Sequence, residues 1–424
     1  MPITALGFLG IFVVGCLVTL KRPFIGLLLY FFVFYMHPPG KYWGAYLPEI
    51  RWTFIVAVLT LISLFINEKH IGKCLSFAAS KWLIAFGVLI VVQSPFVISF
   101  AWHKEYIILF VKMMMLFYLM VTLINSKQRL IQTILLNLVC AGYIGFVALQ
   151  NHGSGRFENA GLPSIEDSNL LAIHMVPMVI LGALLFLADY YDKKKYLLLL
   201  PLAFVGNLII MTGSRGAIAG LLVAGCFILF FAVNEFKGRL IKWGAVAFIA
   251  LSFLSLDLII DRFKAISPGE GGMVEKSANS RVVIISAQFE MFKSHFILGG
   301  GHRTTLLLSP DYIPQEYLTK TAIGGVRGSH NLTMSIFTDH GIIGGLIFFS
   351  LVLGAIRQGV KISKNLEIDK NFRLISLGAA GALVGVMSSS QFANSKVMEI
   401  TIWLIAFITI ILNISKVEKL NNQD

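Results

Sequence analysis

Thirteen stretches of the chain are apolar almost from end to end: 3–20, 23–36, 52–66, 82–101, 106–124, 131–149, 169–188, 196–211, 217–233, 243–260, 332–356, 374–390 and 397–414. A helix needs about 20 such residues to cross the hydrocarbon of a bilayer. In lipid every backbone N–H and C=O must be satisfied internally, and helices do this within one segment. The chain therefore reads as an all-α, polytopic integral membrane protein. The second run is short for a full span and could form a hairpin with the first, so 12–13 transmembrane helices are expected. Only 13% of the 424 residues are charged, against about 25% in a soluble domain. That leaves room for one membrane domain over 1–424 and one sizeable insertion, the loop at 261–330.

Basic residues set the orientation, because cytoplasmic loops carry an excess of Lys and Arg. One alternate set of short loops (21–22, 67–81, 125–130, 189–195, 234–242, 357–373 and the tail from 415) holds 20 of them, and the other (37–51, 102–105, 150–168, 212–216, 391–396) holds 6. The first set is expected in the cytoplasm, and the parity of the spans then puts 261–330 outside. The net charge of +13 is thus accounted for by topology, with membrane lipid as the surrounding partner and no nucleic acid. Lys21 and Arg22 follow the first apolar run instead of preceding it, the reverse of a secretory signal peptide. Cys16, Cys74, Cys140 and Cys226 lie in apolar runs or on the cytoplasmic side, so no disulfide framework is expected. No spacing suits a zinc site.

The loop at 261–330 is the one segment able to build a site in water. Within it, 281–296 reads as an amphipathic helix with Ile285, Phe289, Phe292 and Phe296 at helical spacing. Leu298-Gly299-Gly300-Gly301 ends it.

Several residues at that side could carry chemistry. Arg215, in Thr212-Gly213-Ser214-Arg215-Gly216, is either a snorkelling arginine in a tight turn or an anion ligand at a helix N-terminus. Arg281 opens the loop helix, where its charge opposes the helix dipole and a phosphate would offset it. His330 lies where the loop re-enters the membrane; histidine titrates near neutrality and can take a proton, or it is simply an interfacial side chain. Arg327 is three residues away. Asp339, inside a span, is either functional or buried at a bend near Gly341. Lys112, inside the fifth run, could pair with an acid, carry a phosphate or snorkel. Glu166-Asp167-Ser168-Asn169 offers acids for a general base or, with Ser168, a helix cap. Fixed arginines suit a diphosphate, which their planar forks bind bidentately. A histidine suits removal of a proton from an attacking hydroxyl.

Three stretches then resemble the O-antigen ligase and polymerase superfamily of bacterial envelope glycosyltransferases. They are Gly161 to Ala172, Thr212 to Gly216, and Ser280-Arg281 through Leu298-Gly299-Gly300-Gly301 to His330-Asn331 and Asp339-His340-Gly341-Ile342-Ile343-Gly344. The start of the chain (Arg22-Pro23-Phe24-Ile25-Gly26, His37-Pro38, Trp43-Gly44) and Val326-Arg327-Gly328-Ser329-His330 are similar to O-glycosylation ligases that accompany exosortase systems.

The resemblance implies a multi-pass protein of the bacterial inner membrane with its active site facing the periplasm. It would move an oligo- or polysaccharide from undecaprenyl diphosphate to a hydroxyl of lipid A core, a protein or a glycan chain. It implies Arg215 and Arg281 on the diphosphate, His330 on the acceptor hydroxyl, and no metal or other cofactor. Arg327, Asn331, Asn169, Ser214 and Asp339 are the expected substrate-binding residues. Transfer to the end of a growing glycan would make the protein a polymerase of O-antigen or exopolysaccharide by the same chemistry. A transporter of lipid-linked glycans and a non-catalytic scaffold for envelope assembly are the rival classes.

Overall fold

A computed structural model describes residues 1–67, 77–151, 156–158, 160–188, 190, 192–246, 249, 271–319 and 325–421. Most of the run expected at 243–260, the first part of the 261–330 loop and Cys74 lie outside these residues.

The described chain is helical, as the apolar runs require. The helices are α1 (Ile3–Thr19), α2 (Pro23–Met36), α3 (Trp52–Asn67), α4 (Ala78–Gln93), α5 (Phe100–Leu123), α6 (Lys127–Asn151), α7 (Ser168–Leu187), α8 (Leu199–Thr212), α9 (Arg215–Phe231), α10 (234–246), α11 (Gly271–Ser294), α12 (Thr304–Tyr312), α13 (Leu332–Lys364), α14 (Lys370–Ser389) and α15 (Ile400–Asn421). Nine of the described stretches are long and apolar enough to cross a membrane, and α1, α3 and α9 are shorter apolar helices beside them. The short second run reaches 18 residues, Pro23–Gly40, because a 3₁₀ turn at Pro38–Gly40 prolongs α2. The run expected at 82–101 ends instead at Gln93, because Pro95 has no N–H to continue the helix.

The loop helix α11 starts at Gly271, well before the expected 281. Apolar periodicity signals a helix only where one face is apolar, and 271–280 carries no such stripe. Its buried side is Ile284, Ala287, Gln288 and Met291, which pack with Ile313 and Leu318 in a small second core. Val282, Ile285, Phe289 and Phe296 point outward.

The centre of the bundle is α14, which is rich in Gly, Ala and Ser. Between helices in lipid, small residues gain contact by letting backbones approach. A Cβ on Gly220 of α9 would lie 2.6 Å from the Gly385 carbonyl, and a Cβ on Gly385 would lie 3.2 Å from the Gly220 carbonyl. This close antiparallel contact sets the N-terminus of α9 beside the C-terminus of α14, where Phe392 packs on Gly216. A cluster of Phe31, Phe34, Tyr35, His174 and Trp403 locks α2, α7 and α15 together.

The long helix α13 breaks at Gly341 (φ 64°, ψ −168°). A break inside lipid frees backbone groups that must find partners, and the 296–301 turn supplies them. Ile342 N–H donates to the Phe296 carbonyl, and the N–H groups of Gly300 and Gly301 donate to the carbonyls of Thr338 and Asp339 (2.8, 3.0 and 2.9 Å). Two separate glycine motifs of the sequence are thus one interlocked unit. A Cβ on Gly299, whose φ is +76°, would sit 2.4 Å from the His340 nitrogen. Replacing Gly299 with Ala adds a left-handed-backbone penalty to a backbone clash, a combined cost of about 2 kcal/mol or more. Thermal unfolding in detergent should show a clear drop in midpoint for Gly299→Ala, and none for Gly328→Ala, where an added Cβ meets nothing within 4 Å.

Candidate active site at one end of the bundle

Four segments meet at one end of the helices. The first is the turn between α8 and α9. Gly213 closes α8 in the left-handed conformation, and Ser214 caps α9, its hydroxyl accepting from the Ala217 N–H at 3.4 Å. Arg215 follows at the first helical position, exposed. Beside this turn, Arg156 donates from Nε to the Thr212 carbonyl (2.8 Å) and from Nη2 to Asn169 Oδ1 (3.2 Å).

The second segment is the start of α7. Asp167, one residue before the expected cap Ser168, accepts from the N–H groups of Asn169 and Leu170 (2.7 and 2.9 Å). The third is α11 with Arg281, exposed on its surface. The fourth is the re-entry at 327–331 with the turn after α14. Leu332 N–H donates to the Ser390 carbonyl (2.9 Å), and Asn331 Nδ2 donates to the Gln391 carbonyl (3.2 Å).

Arg281, Ile284, Ile285, Gln288, His330, Asn331 and Gln391 line one recess. The structure thus brings Arg281, His330 and Asn331 together, although 49 residues separate the first two in the chain. Arg215 lies next to Gly216, whose partner Phe392 adjoins Gln391. Arg327 is half-buried; its N–H donates to Ser309 Oγ (2.8 Å) and its Nη1 to Thr319 Oγ1 (3.3 Å). Among the described residues, no carboxylate lies within ion-pair distance of Arg215, Arg281 or Arg327. His330 is held below its ordinary pKa by loss of water around the ring and by the positive charges of Arg327 and Arg281, with Asp167 pulling weakly the other way. The imidazole is therefore neutral, and able to accept a proton, at neutral pH.

Several expected ligands have other tasks here. The side-chain oxygen of Asn331 caps α13, accepting from the Met334 N–H at 2.8 Å, and that of Asn169 is taken by Arg156. Ser214 serves as the α9 cap. Asp339, expected among the substrate-binding residues, is buried and forms an ion pair with Lys396. It also accepts from the N–H groups of Thr304 (3.0 Å) and Arg303 (3.3 Å). Burial of a carboxylate in lipid requires such partners, so the bend at Gly341 explains it. Lys112 is exposed on α5, its ammonium 6.0 Å from the Phe54 ring centre.

Around Asp339 lies a dense layer beneath the recess. Tyr106 is stacked between His302 and His340, with centroids 4.7 and 5.3 Å away. Gln93 donates to the carbonyls of Leu298 and Asp339 and accepts from His340 Nδ1 (3.0 Å). His103 Nδ1 accepts from the His302 N–H (3.3 Å), which leaves Nε2–H to donate to the Ile90 carbonyl (2.8 Å). Burial and the Lys396 and Arg303 charges push His302 down to about 2. The layer is thus tied together by hydrogen bonds and ring stacking, and none of its residues lines the recess.

Sequence reasoning missed Arg156, Gln288, Gln391 and Lys396. Only Lys396 had a signal. An Asp inside a span calls for a cation, and Lys396 is the one basic residue in the 391–396 turn.

The curated proteins searched give no match to the chain. A family model described as O-antigen ligase matches residues 197–349. That stretch runs from α8 to the middle of α13 and so holds Arg215, Arg281, Arg327, His330 and the interlocked glycine turns. The match covers about a third of the chain, and through these residues it supports the O-antigen ligase superfamily.

Proposed function

We propose that the protein is a glycosyltransferase of the bacterial inner membrane that moves a glycan from undecaprenyl diphosphate to an acceptor hydroxyl on the periplasmic face. The observation that carries this reading is the shared recess of Arg281 and His330, with Arg215 close by and, among the described residues, no carboxylate paired to either arginine. The excess of basic residues at the opposite end supports a periplasmic site.

In the proposed reaction, Arg215 and Arg281 hold the diphosphate of the donor, and Arg327 adds positive charge at the rim. The neutral ring of His330 takes the proton of the acceptor hydroxyl as that oxygen attacks the anomeric carbon. The bond from that carbon to the diphosphate oxygen breaks, and its electron pair leaves with the diphosphate. The fixed guanidiniums stabilise the charge that develops there, the task that a metal ion performs in other transferases. A single displacement inverts the anomeric centre. The acceptor is a hydroxyl of lipid A core, a protein or a glycan chain.

The test is release of undecaprenyl diphosphate by purified protein given a lipid-diphosphate glycan and an acceptor. Arg215→Ala and Arg281→Ala are each expected to slow release by about 10²–10³-fold while the protein stays monodisperse. Unchanged release in both variants would remove the diphosphate from this recess. Movement of labelled lipid across a vesicle without bond cleavage would make the protein a transporter.

A further inference from the structure

Gln288 is fully buried in the wall of the recess, at the same helix face as Arg281. Its Nε2 donates to Thr305 Oγ1 (3.0 Å) and to Ser329 Oγ (2.9 Å). The hydrogens of these hydroxyls fix which way the amide points. Ser329 Oγ–H is committed to the Asn331 carbonyl (2.9 Å), so Ser329 Oγ must accept from Gln288. Thr338 Oγ1–H is committed to the Met334 carbonyl (2.9 Å), so Thr338 Oγ1 accepts the hydrogen of Thr305 (3.4 Å). Thr305 Oγ1 is then left to accept from Gln288 as well. Both amide hydrogens are used, and the amide cannot flip without setting donor against donor.

The consequence falls on the other end of the amide. Oε1 of Gln288 is buried, and among the described residues no group donates to it. A buried carbonyl without a donor costs about 1–3 kcal/mol, and natural proteins leave few of them. Here the acceptor belongs to a residue that lines the recess with Arg281 and His330. Seven residues of helix, roughly 10 Å of rise, separate Arg281 from Gln288, and both long side chains reach the same recess.

We infer that Gln288 is a specificity residue whose Oε1 accepts a hydrogen bond from a hydroxyl of the sugar attached to the donor's diphosphate. This rests on the functional reading above, in which Arg281 holds that diphosphate. A ligand gripped there presents its first sugar along α11 toward Gln288. The same amide ties α11 to Ser329, and so to the loop that carries His330. Occupation of Oε1 would report a correctly seated sugar to the residue that performs the proton transfer.

The experiment is a cycle between one protein group and one ligand group. A short-chain prenyl diphosphate glucoside and its monodeoxy analogues are titrated into the full chain in detergent by calorimetry. In the wild type, one monodeoxy analogue is expected to bind about tenfold more weakly than the parent. In Gln288→Met that penalty should vanish, and the parent should bind as weakly as the analogue. A purely structural role would weaken all ligands alike and leave the deoxy penalty in place. That result would overturn the inference, and so would equal binding of the whole deoxy series to the wild type, a measurement that needs no variant. Arg281→Ala and Arg215→Ala report separately on the functional reading. If neither weakens the parent, the diphosphate assignment fails, while the Gln288 cycle is still read on its own terms.

Discussion

Replacement of His330 with Gln should slow glycan transfer by about 10²–10⁴-fold, the range that a positioned general base contributes, and should leave binding of the lipid diphosphate nearly intact. The amide keeps a polar group of similar reach in the recess but cannot take a proton. Stability should hardly change, because His330 supports no described hydrogen bond of the fold. The pH profile gives an independent check. Burial and the charges of Arg327 and Arg281 lower the pKa of His330. The active, neutral form therefore persists to lower pH than for an ordinary histidine, and activity should fall only on the acid side. Removal of either arginine takes away a positive charge, raises the His330 pKa and moves that acid limb to higher pH. A variant at Arg327 is the sharper probe, since Arg281 also holds the substrate in the proposed mechanism. A limb that stays in place in Arg327→Ala would show that another group titrates. Transfer by His330→Gln at more than a tenth of the wild-type rate would end its role as the base.

Apolar runs and their boundaries were legible because burial in lipid imposes one rule on every residue of a span. The runs at 23–36, 169–188 and 374–390 match α2, α7 and α14 to within a few residues. What the sequence hides is which apolar face meets protein and which meets lipid, since both are equally apolar. The Ile285 and Phe289 stripe of α11 marks an outward face, while its packed face carries Gln288. Arg281 and His330 could be singled out from the sequence pattern, His330 by its place at a membrane edge and Arg281 by a helix start expected at 281; the helix in fact begins at Gly271, so Arg281 lies within it and the dipole argument for an anion there falls away. Their shared recess could not be seen, because it depends on how the 296–301 turn seats in the break of α13. Gln288 gave no signal at all. A glutamine on a polar-looking stretch of helix becomes informative only when Thr305, Ser329 and Thr338 have used up the hydrogens around it. Nor does sequence show which polar side chains the fold already uses: Asn331 and Ser214 cap helices, and Asp339, readable from its place in a span as functional or buried at a bend, is held in an ion pair with Lys396.

The Asp339–Lys396 pair should show a large asymmetry between breaking it and replacing it. Both side chains are nearly excluded from solvent, at 4% and 2% exposure. The two ions attract strongly in such a medium, and each pays heavily for lost water if left alone. Lys396→Met leaves a buried carboxylate with only the backbone N–H groups of Thr304 and Arg303, and should cost about 3–5 kcal/mol. Asp339→Asn leaves a buried ammonium over the Tyr106 ring and should cost a similar amount. The double variant Asp339→Asn/Lys396→Met removes both charges but keeps a side-chain oxygen for the Thr304 N–H, so most of the loss should return. Unfolding midpoints in detergent would read the cycle, and simple addition of the two single losses would show that the residues do not act as a pair. Activity should follow stability in this series. The pair ties the 391–396 turn to α13, and that turn carries Gln391 in the recess and Phe392 against Gly216. Loss of either charge therefore loosens the ground on which Arg215 and His330 stand, although neither Asp339 nor Lys396 touches the proposed substrate. A double variant that refolds but transfers no glycan would assign the pair a direct part in the chemistry instead.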